Sequence, residues 1–289
     1  MPASVRAIQG RIENIDNIRQ ITKAMNAIAM TKVTRTKRRL APMRPYLAEL
    51  ESVLSSLLSQ KRKGVPAHPL TVENGSPDTA VLVLNADRGL CGRFKGELNH
   101  RAEEVLDRLG GRGRLLIGGE KARLFFSRRP VEVVGTYTHL YEDPTREVAR
   151  RITGDLTALY REGKVGRIIL VYMRFLSDLV QRVAVEDLLP VRTPLRAEED
   201  DDEVILEPSL GDLLQVAVSL YLEERVLAAL LETKTSEHAI RRQAMKSATD
   251  NADDLLVLLH RSFNKARQQS ITREIADIMG GAEALRQLS

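Results

Sequence analysis

Apolar side chains recur every three or four residues through the first part of the chain. The positions of this stripe are Val5, Ile8, Ile12, Ile15, Ile18, Ile21, Met25, Ile28 and Val33. Such spacing is typical of one face of an α-helix. A second set of Leu and Val residues resumes the pattern from Leu47 to Leu58. The pattern predicts a helix over 1–60, which Pro42 and Pro45 are expected to kink or end.

A similar run fills the end of the chain from Ser209 onwards. Its apolar positions include Leu213, Leu220, Val226, Leu230, Ile240, Ala244, Ala248, Leu255, Leu259, Phe263, Ile271, Ile275 and Ile278. No proline follows Pro208, and glycine is absent between Gly211 and the pair Gly280-Gly281, which is predicted to end the helix. The pattern therefore predicts about seventy residues of helix, far more than the usual ~11–12.

Neither long helix can bury its apolar stripe alone. The simplest solution is a long antiparallel two-helix coiled coil formed by the N- and C-terminal helices. Met25 is then expected near Arg241–Met245, and the last ~25 residues are expected to project past the N-terminus as a single helix. A helical bundle with several bends is the alternative that the pattern leaves open.

The middle of the chain alternates between short apolar runs and helical patterns, which indicates a small α/β domain. Strands are predicted at 79–85, 115–117, 131–134 and 168–172, helices at 94–109 and 145–161, and edge strands at 181–185 and 204–206. The predicted divisions are an N-terminal coiled-coil helix at 1–60, a Gly/Pro-rich linker at 61–78, an α/β (Rossmann-like) domain at 79–208 and a C-terminal coiled-coil helix at 209–289.

Composition narrows the class of protein. Eleven aromatic residues in 289 are few, and eight of them lie between the two helical flanks. A single cysteine excludes an internal disulfide and a multi-cysteine zinc site. No stretch approaches the ~20 apolar residues of a membrane span. A protein of the cytoplasm that does not itself cross a membrane is expected.

Catalytic and cofactor signatures are weak. The five histidines are scattered without metal-ligand spacing. The segment Asp87-Arg-Gly-Leu-Cys-Gly92 could place backbone N–H groups at a helix start, but it matches neither phosphate-loop nor dinucleotide-loop spacing. Cys91 is expected to be a packed thiol rather than a nucleophile. No metal, cofactor or catalytic residue is predicted.

The first helix is strongly basic. Residues 1–45 contain ten Lys and Arg residues against Glu13 and Asp16, a local charge of +8. Such a surface favours an acidic partner, either a nucleic acid or a protein with acidic loops. Aromatic residues for base stacking are missing there, and six consecutive acids occupy 198–203, a run typical of a solvated loop.

Several motifs carry a specific resemblance. They are Ile21-Thr-Lys-Ala-Met25, Asp87-Arg-Gly-Leu-Cys-Gly92, Ser236-Glu-His-Ala239, Met245-Lys-Ser-Ala-Thr-Asp-Asn-Ala252, Asn264-Lys-Ala-Arg-Gln268 and the ending from Ser270-Ile-Thr-Arg-Glu-Ile275 to Gly280-Gly281-Ala282. In this order they resemble the gamma subunit of the rotary F-type ATP synthase. The resemblance covers both flanks and the strand-turn motif, while the middle matches mainly in length and layout.

The resemblance implies a central rotor shaft without catalytic residues or cofactors. Its coil would turn inside a hexamer of alpha and beta subunits, and its foot would stand with the epsilon subunit on a membrane-embedded c-type ring. Rotation would couple ion translocation to ATP synthesis or hydrolysis at the cytoplasmic face of the cell membrane, where the chain would be peripheral. No nucleic-acid partner is implied.

The resemblance also implies three sets of contact residues. Those that would meet an acidic lever of the catalytic subunit are Lys23, Met25, Lys32, Arg35, Arg88 and Cys91. Those gripped by the catalytic subunits on the upper shaft are Arg267, Gln268, Thr272 and Glu274. Those that would face the ring and epsilon are Glu203, Val204 and Glu207.

Two rival functions remain open from the residues alone. A basic coiled-coil nucleic-acid adaptor would explain the charge of the first helix, and an α/β nucleotide enzyme would explain the middle domain. Retention of nucleic acid through high salt would favour the first, and ATP binding by the isolated chain would favour the second.

Overall fold

The structure, a computed structural model, describes residues 3–60, 67–139, 142–192, 207 and 209–287. Contacts between residues divide the chain into two compact units. The coil unit consists of Met1–Ala29 and Arg242–Ser289, and the sheet unit consists of Met30–Arg241. The first and last helices contribute residues to both units.

The described elements follow one another as helices and strands of very different length. The helices are α1 (Ala3–Leu40), α2 (Met43–Ser59), α3 (Phe94–Arg108), α4 (Glu120–Phe126), α5 (Arg146–Arg161) and α6 (Leu210–Gln287). The strands are β1 (Thr79–Leu84), β2 (Gly113–Gly118), β3 (Glu132–Tyr137), β4 (Arg167–Phe175) and β5 (Gln181–Leu189).

The two prolines end the first helix as expected. Helix α1 stops at Leu40, a turn covers Ala41 and Pro42, and α2 begins at Met43. Pro45 is the third residue of α2, where a backbone N–H would have no partner inside the helix. The missing N–H of Pro45 therefore costs no hydrogen bond in α2. Pro42 instead lies where a continued α1 would need a backbone N–H for a hydrogen bond, so α1 ends before it.

Within the coil unit, α1 and α6 run antiparallel. Arg19 Nη1 lies 3.3 Å from Asp253 Oδ1, and Thr22 Oγ1 lies 2.8 Å from Thr249 Oγ1. The residue numbers of these two pairs add up to 272 and 271, as expected for antiparallel helices with the same rise per residue. The same sums place Met25 opposite residues 246–247, close to the predicted Arg241–Met245.

The predicted stripe on α1 is wrong in its middle. Ile18, Ile21 and Ile28 are 49 %, 59 % and 58 % exposed, whereas Thr22, Ala29 and Val33 are buried. The reason is the run of three-residue steps from Ile12 to Ile21. Each residue turns an α-helix by about 100°, so nine residues place Ile21 about 180° from Ile12. An apolar residue every third position therefore drifts off the buried face.

The end of α6 lies beyond the reach of α1. The same register pairs Ala3, the first described residue of α1, with residues 268–269. All side chains from 271 to 280 are exposed, including Ile271, Ile275 and Ile278. The prediction that Gly280-Gly281 ends the helix is wrong, because α6 continues to Gln287. A helical glycine costs only ~1 kcal/mol, and the good helix formers that follow support another turn.

The sheet unit is a five-stranded sheet in the order β3-β2-β1-β4-β5. The first four strands are parallel, and β5 pairs antiparallel with β4 at the edge. Alternate residues of β1 enter two cores: Ala80, Leu82 and Leu84 join a cluster with α2, α5 and α6, while Val81 and Val83 join one with α3 and α4. This two-sided burial follows from the period-two geometry of a strand.

Most of the predicted elements of the middle are confirmed, with one omission. Helix α4 is absent from the prediction because its seven residues are too short for a clear helical period. The predicted strand at 204–206 and the acidic run at 198–203 lie outside the described residues. The division into 1–60, 61–78, 79–208 and 209–289 stays a prediction.

Candidate partner-binding surfaces

The positive charge of α1 in the sheet unit is largely compensated within the chain. Lys32 Nζ lies 3.3 Å from Glu142 Oε1, and Arg35 Nη2 lies 2.9 Å from Asp143 Oδ2. Arg39 Nη1 lies 2.5 Å from Asp143 Oδ1. Lys37 similarly pairs with Asp178 at 3.0 Å. We call Glu142 and Asp143 the acidic loop. An external acidic group would have to compete with this loop for Lys32 and Arg35.

These ion pairs are open to solvent. The side chains of Arg35 and Asp143 are 70 % and 55 % exposed. Such pairs usually contribute ~0.2–1 kcal/mol, since water screens the attraction and the long side chains lose freedom. A partner could therefore replace the acidic loop at Arg35 at a small cost.

In the coil unit, Lys23 and Met25 differ in their surroundings. Lys23 is exposed and makes no ion pair within the described part of the chain. Met25 is half-buried beside the α1–α6 seam. Lys23 is thus an available cation, whereas Met25 offers only part of its side chain to another molecule.

The turn after β1 is held rigidly from inside. Asp87 is buried, and its Oδ1 accepts backbone hydrogen bonds from Glu120 at 3.0 Å and His139 at 3.1 Å. Asp87 thereby ties the turn to the start of α4 and to the segment after β3. Leu90 has a φ of 59°, and Gly92 has a φ of 51°, so two left-handed residues flank Cys91.

This backbone presents some side chains outward and others inward. Arg88 is exposed and Leu90 is 62 % exposed, whereas Cys91 is only 1 % exposed. Burial raises the pKa of the Cys91 thiol. The expectation of a packed thiol fits this position, and Cys91 offers no surface to a partner in this conformation. The sequence analysis did not select Leu90, which is the exposed apolar residue of the turn. Its position in the segment Gly89-Leu90-Cys91-Gly92 did not indicate that it would be exposed.

The end of α6 carries the four predicted upper-shaft residues on its exposed surface. Arg267, Gln268, Thr272 and Glu274 are all exposed. Thr272 Oγ1 donates to Gln268 O at 3.0 Å, and Ser270 Oγ donates to Glu274 Oε1 at 3.1 Å. These are local bonds along one helix, so the polar groups keep capacity for further partners.

Exposed apolar residues accompany them. Within the coil unit, those on α6 are Leu255, Val257, Leu258, Ile271, Ile275, Ile278 and Met279. Those on α1 in the same unit are Ile18, Ile21 and Ile28. A monomer in water seldom exposes so many large apolar side chains on one unit, and such surfaces mark sites of protein association. The sequence pattern assigned several of these residues to the coil seam and so missed their exposure.

The predicted foot contacts are described only in part. Glu207 is exposed. Glu203 and Val204 lie outside the described residues. The described residues hold no group of three His, Cys, Asp or Glu side chains placed for a metal ion. None of the helices in the described ranges combines the length and apolarity needed to cross a membrane.

Comparison with known proteins gives matches over almost the whole chain. The family model described as "ATP synthase" matches residues 4–285. The ATP synthase gamma chain of Moorella thermoacetica is 37% identical over 284 residues, which cover 98% of this chain and 100% of that relative. The ATP synthase gamma chain of Mycolicibacterium smegmatis is 37% identical over 306 residues, covering 99% of each chain.

Solved structures give the same fold. A chain in the cryo-EM structure of the Euglena gracilis mitochondrial ATP synthase (OSCP/F1/c-ring, rotational state 3) is 18% identical, with a TM-score of 0.67 over 98% of this chain and 94% of that chain. A chain in the central stalk/c-ring structure of the Tetrahymena thermophila mitochondrial ATP synthase is 21% identical, with a TM-score of 0.61 over 79% of this chain and 99% of that chain.

Proposed function

We propose a rotor function for this chain, which belongs to the gamma-chain family of ATP synthase and is a non-catalytic subunit. The observation that carries the proposal is the match to bacterial gamma chains over the full length of both proteins. The chain is the shaft of the central stalk. It couples ion movement through a membrane-embedded ring to ATP synthesis or hydrolysis in a catalytic hexamer.

The chemistry of ATP lies in other subunits, and this chain acts through differential binding. A shaft whose sides differ makes different contacts with otherwise equal catalytic subunits, and so favours a different conformation of each. Driving such a site from 1:99 to 99:1 takes ~5.5 kcal/mol of differential affinity. Since an exposed ion pair contributes only ~0.2–1 kcal/mol, several contacts must act together.

The apolar surface of the coil unit supplies the larger part of that energy. Burying a large aliphatic side chain completely contributes ~1.5–3 kcal/mol. Ile18, Ile21 and Ile28 are each about half exposed, so each can contribute about half as much when a partner covers it. Ile271 and Ile275 do the same near the end of α6. The alpha and beta subunits are the partners that cover these residues.

Contacts of individual side chains set the angular position of the shaft. On the upper shaft these are Arg267, Gln268, Thr272 and Glu274. On the coil unit, Lys23 and Met25 meet an acidic lever of the catalytic subunit. On the sheet unit, Arg88, Lys32 and Arg35 do so, the last two by exchanging the acidic loop for the lever. Leu90 replaces Cys91 in this set, since the thiol is buried.

The remaining partners are the epsilon subunit and the c-type ring. Glu207, with Glu203 and Val204, faces the epsilon subunit and the c-type ring. The assembled chain is peripheral, at the cytoplasmic face of the cell membrane.

Reconstitution tests the function directly. The chain is mixed with the alpha and beta subunits of the same organism, and ATPase activity is compared with that of alpha and beta alone. Assembly of a stable complex with raised, sustained ATPase is expected. A matched control is a chain that ends at residue 266, which keeps all but the last few paired residues of the coil and lacks the upper shaft. Failure of the full chain to join the hexamer under any salt condition would refute the rotor function.

A second test addresses the partners and the location. The tagged chain is isolated from membranes in mild detergent and should bring alpha, beta, epsilon and the ring subunit with it. A low-salt wash without detergent should release it together with alpha and beta. Release only by detergent would contradict a peripheral position.

A further inference from the structure

Helix α6 buries three charged side chains on one face inside the sheet unit. Lys234 is 0 % exposed, Glu237 2 % and Arg241 9 %. Their spacing of three and four residues places them in a row along the helix. Lys234 Nζ lies 3.0 Å from Glu237 Oε2, and Arg241 Nη2 lies 2.7 Å from Glu237 Oε1. Glu237 therefore holds one cation with each of its two oxygens.

The row is extended at both ends by other elements of the sheet unit. Lys234 Nζ lies 3.6 Å from Glu142 Oε2 of the acidic loop, and the other oxygen of Glu142 receives Lys32 of α1 at 3.3 Å. At the opposite end, Arg241 Nη2 donates to the carbonyl oxygen of Gly89 at 3.3 Å. We call the series Lys32, Glu142, Lys234, Glu237 and Arg241 the charge ladder. Its signs alternate, and it joins α1, the acidic loop, α6 and the turn after β1.

Stability alone does not explain the ladder. Burying charges costs several kcal/mol for each ion, and well-packed apolar residues of similar size are often as stable or more so. The preceding turns of α6 use such residues, since Leu227, Leu230 and Leu231 are buried in the main core. Apolar surfaces can slip past one another at little cost, whereas paired charges hold one geometry. The best-attested benefit of buried polar groups is a fixed register.

The ionisation of the ladder is maintained by its own members. Although burial opposes it, Lys234 and Arg241 hold the pKa of Glu237 below its usual value. Burial lowers the pKa of the neighbouring His238 to about 4. The positive charges of Arg241 and Lys234 lower this pKa further, whereas the negative charge of Glu237 raises it. At neutral pH the carboxylate of Glu237 is charged and the imidazole of His238 is neutral, so Lys234 and Arg241 both form ion pairs with Glu237.

We propose that the charge ladder is the torsional joint of the shaft, with Glu237 as its positioning residue. It fixes α6 about its own axis against the acidic loop, α1 and the turn after β1, so that torque passes between the sheet unit and the long helices without slip. This inference rests on the proposed rotor function. It adds a role for Lys234, Glu237 and Arg241, which belong to none of the partner surfaces named above.

The test compares three variants in the assembled complex. Glu237→Gln keeps the shape of the side chain and removes the hub charge. The triple variant Lys234→Met/Glu237→Met/Arg241→Met replaces the buried charges of α6 by apolar side chains of similar length, which removes the ionic link without leaving a buried cation unpaired. Asp187→Asn is the matched control, because it breaks the solvent-exposed pair with Arg167 in the same sheet unit.

Two quantities are measured on each complex. One is the torsional stiffness of the shaft, from the thermal angular fluctuations of a probe attached to the sheet unit while the hexamer is immobilised. The other is the number of ions pumped per ATP hydrolysed in membrane vesicles. Thermal unfolding of each complex is recorded in parallel.

A torsional joint predicts that stiffness falls at least twofold in both Glu237 variants, with fewer ions pumped per ATP, while Asp187→Asn resembles the wild type. The triple variant is decisive, because it should unfold near the wild-type temperature and still have a low torsional stiffness. Wild-type stiffness in the triple variant would show that the ladder only fills space. If neither Glu237 variant assembles, Glu142→Gln at the partly exposed end takes their place, and normal stiffness there overturns the proposal.

A failure of the proposed rotor function would give a different result from a failure of the torsional joint. If the wild-type chain does not join the hexamer or sustain ATPase, the rotor function fails before any variant is compared. If the wild-type complex works and the ladder variants keep their stiffness, only the torsional joint is wrong.

Discussion

The register of the coil can be locked by a single designed disulfide. Thr22 Oγ1 and Thr249 Oγ1 lie 2.8 Å apart across the two helices. A cysteine Sγ occupies nearly the same place as a threonine Oγ1, and a disulfide bond is ~2.05 Å long. The double variant Thr22→Cys/Thr249→Cys, made with Cys91→Ala, therefore needs a closure of less than ~1 Å to form the bond.

The expected gain in stability is large because the closed loop is long. The two positions are 227 residues apart. In the chain-entropy relation such a loop corresponds to ~5 kcal/mol against the unfolded chain. Both cysteines belong to the same rotor, so the bond should leave rotation free. ATPase of the oxidised and reduced complexes should be equal, while thermal unfolding of the oxidised chain should occur at a higher temperature.

The assay is a gel shift under non-reducing conditions after mild oxidation, with mass spectrometry to identify the linked peptides. The matched control is Thr22→Cys/Asp250→Cys in the same background. Asp250 is exposed and is turned by about 100° from Thr249, so it should link poorly. Efficient linkage of Thr22 to Asp250 and none to Thr249 would refute the register described here, and failure of both pairs to link would contradict the antiparallel pairing.

Three further outcomes are expected. The buried, high-pKa thiol of Cys91 should react with maleimides only after unfolding, and ATPase should not change between dithiol and disulfide buffers; a reversible change abolished by Cys91→Ala would contradict this. Lys23→Glu should leave thermal unfolding unchanged but lower ion pumping per ATP, whereas Arg35→Glu should cost ~0.2–1 kcal/mol of stability; equal effects of the two changes on unfolding would argue against this assignment. The lowered pKa of His238, about 4 against an ordinary 6.5, means that the unfolded chain binds a proton first, so stability should fall by ~3 kcal/mol as pH drops from about 6.5 to 4. His238→Gln should flatten this part of the pH profile in urea unfolding, and an unchanged profile would contradict the assignment.

The sequence by itself determined most of the segments that form helices and strands, except the short helix α4 and the end of α6. Local patterns in the sequence decide the local backbone geometry. These patterns are the apolar residues at every third or fourth position on both flanks, the break at Pro42, and the alternation of strand and helix patterns in the middle. The motif order was specific enough to indicate the family, since several short motifs had to match in sequence at once.

Only the tertiary structure decided which face of each helix is buried and which charges have partners. Ile18 and Ile21 belong to an apolar stripe in the sequence, yet they are exposed because α6 packs against the face of α1 that carries Thr22. Lys32 and Arg35 look like free cations in the sequence, yet they meet the acidic loop more than a hundred residues away. Lys234 and Glu237 look like surface residues of a helix, yet the sheet unit encloses them. Contacts between distant segments depend on the packing of whole elements, which spacing along one segment does not encode.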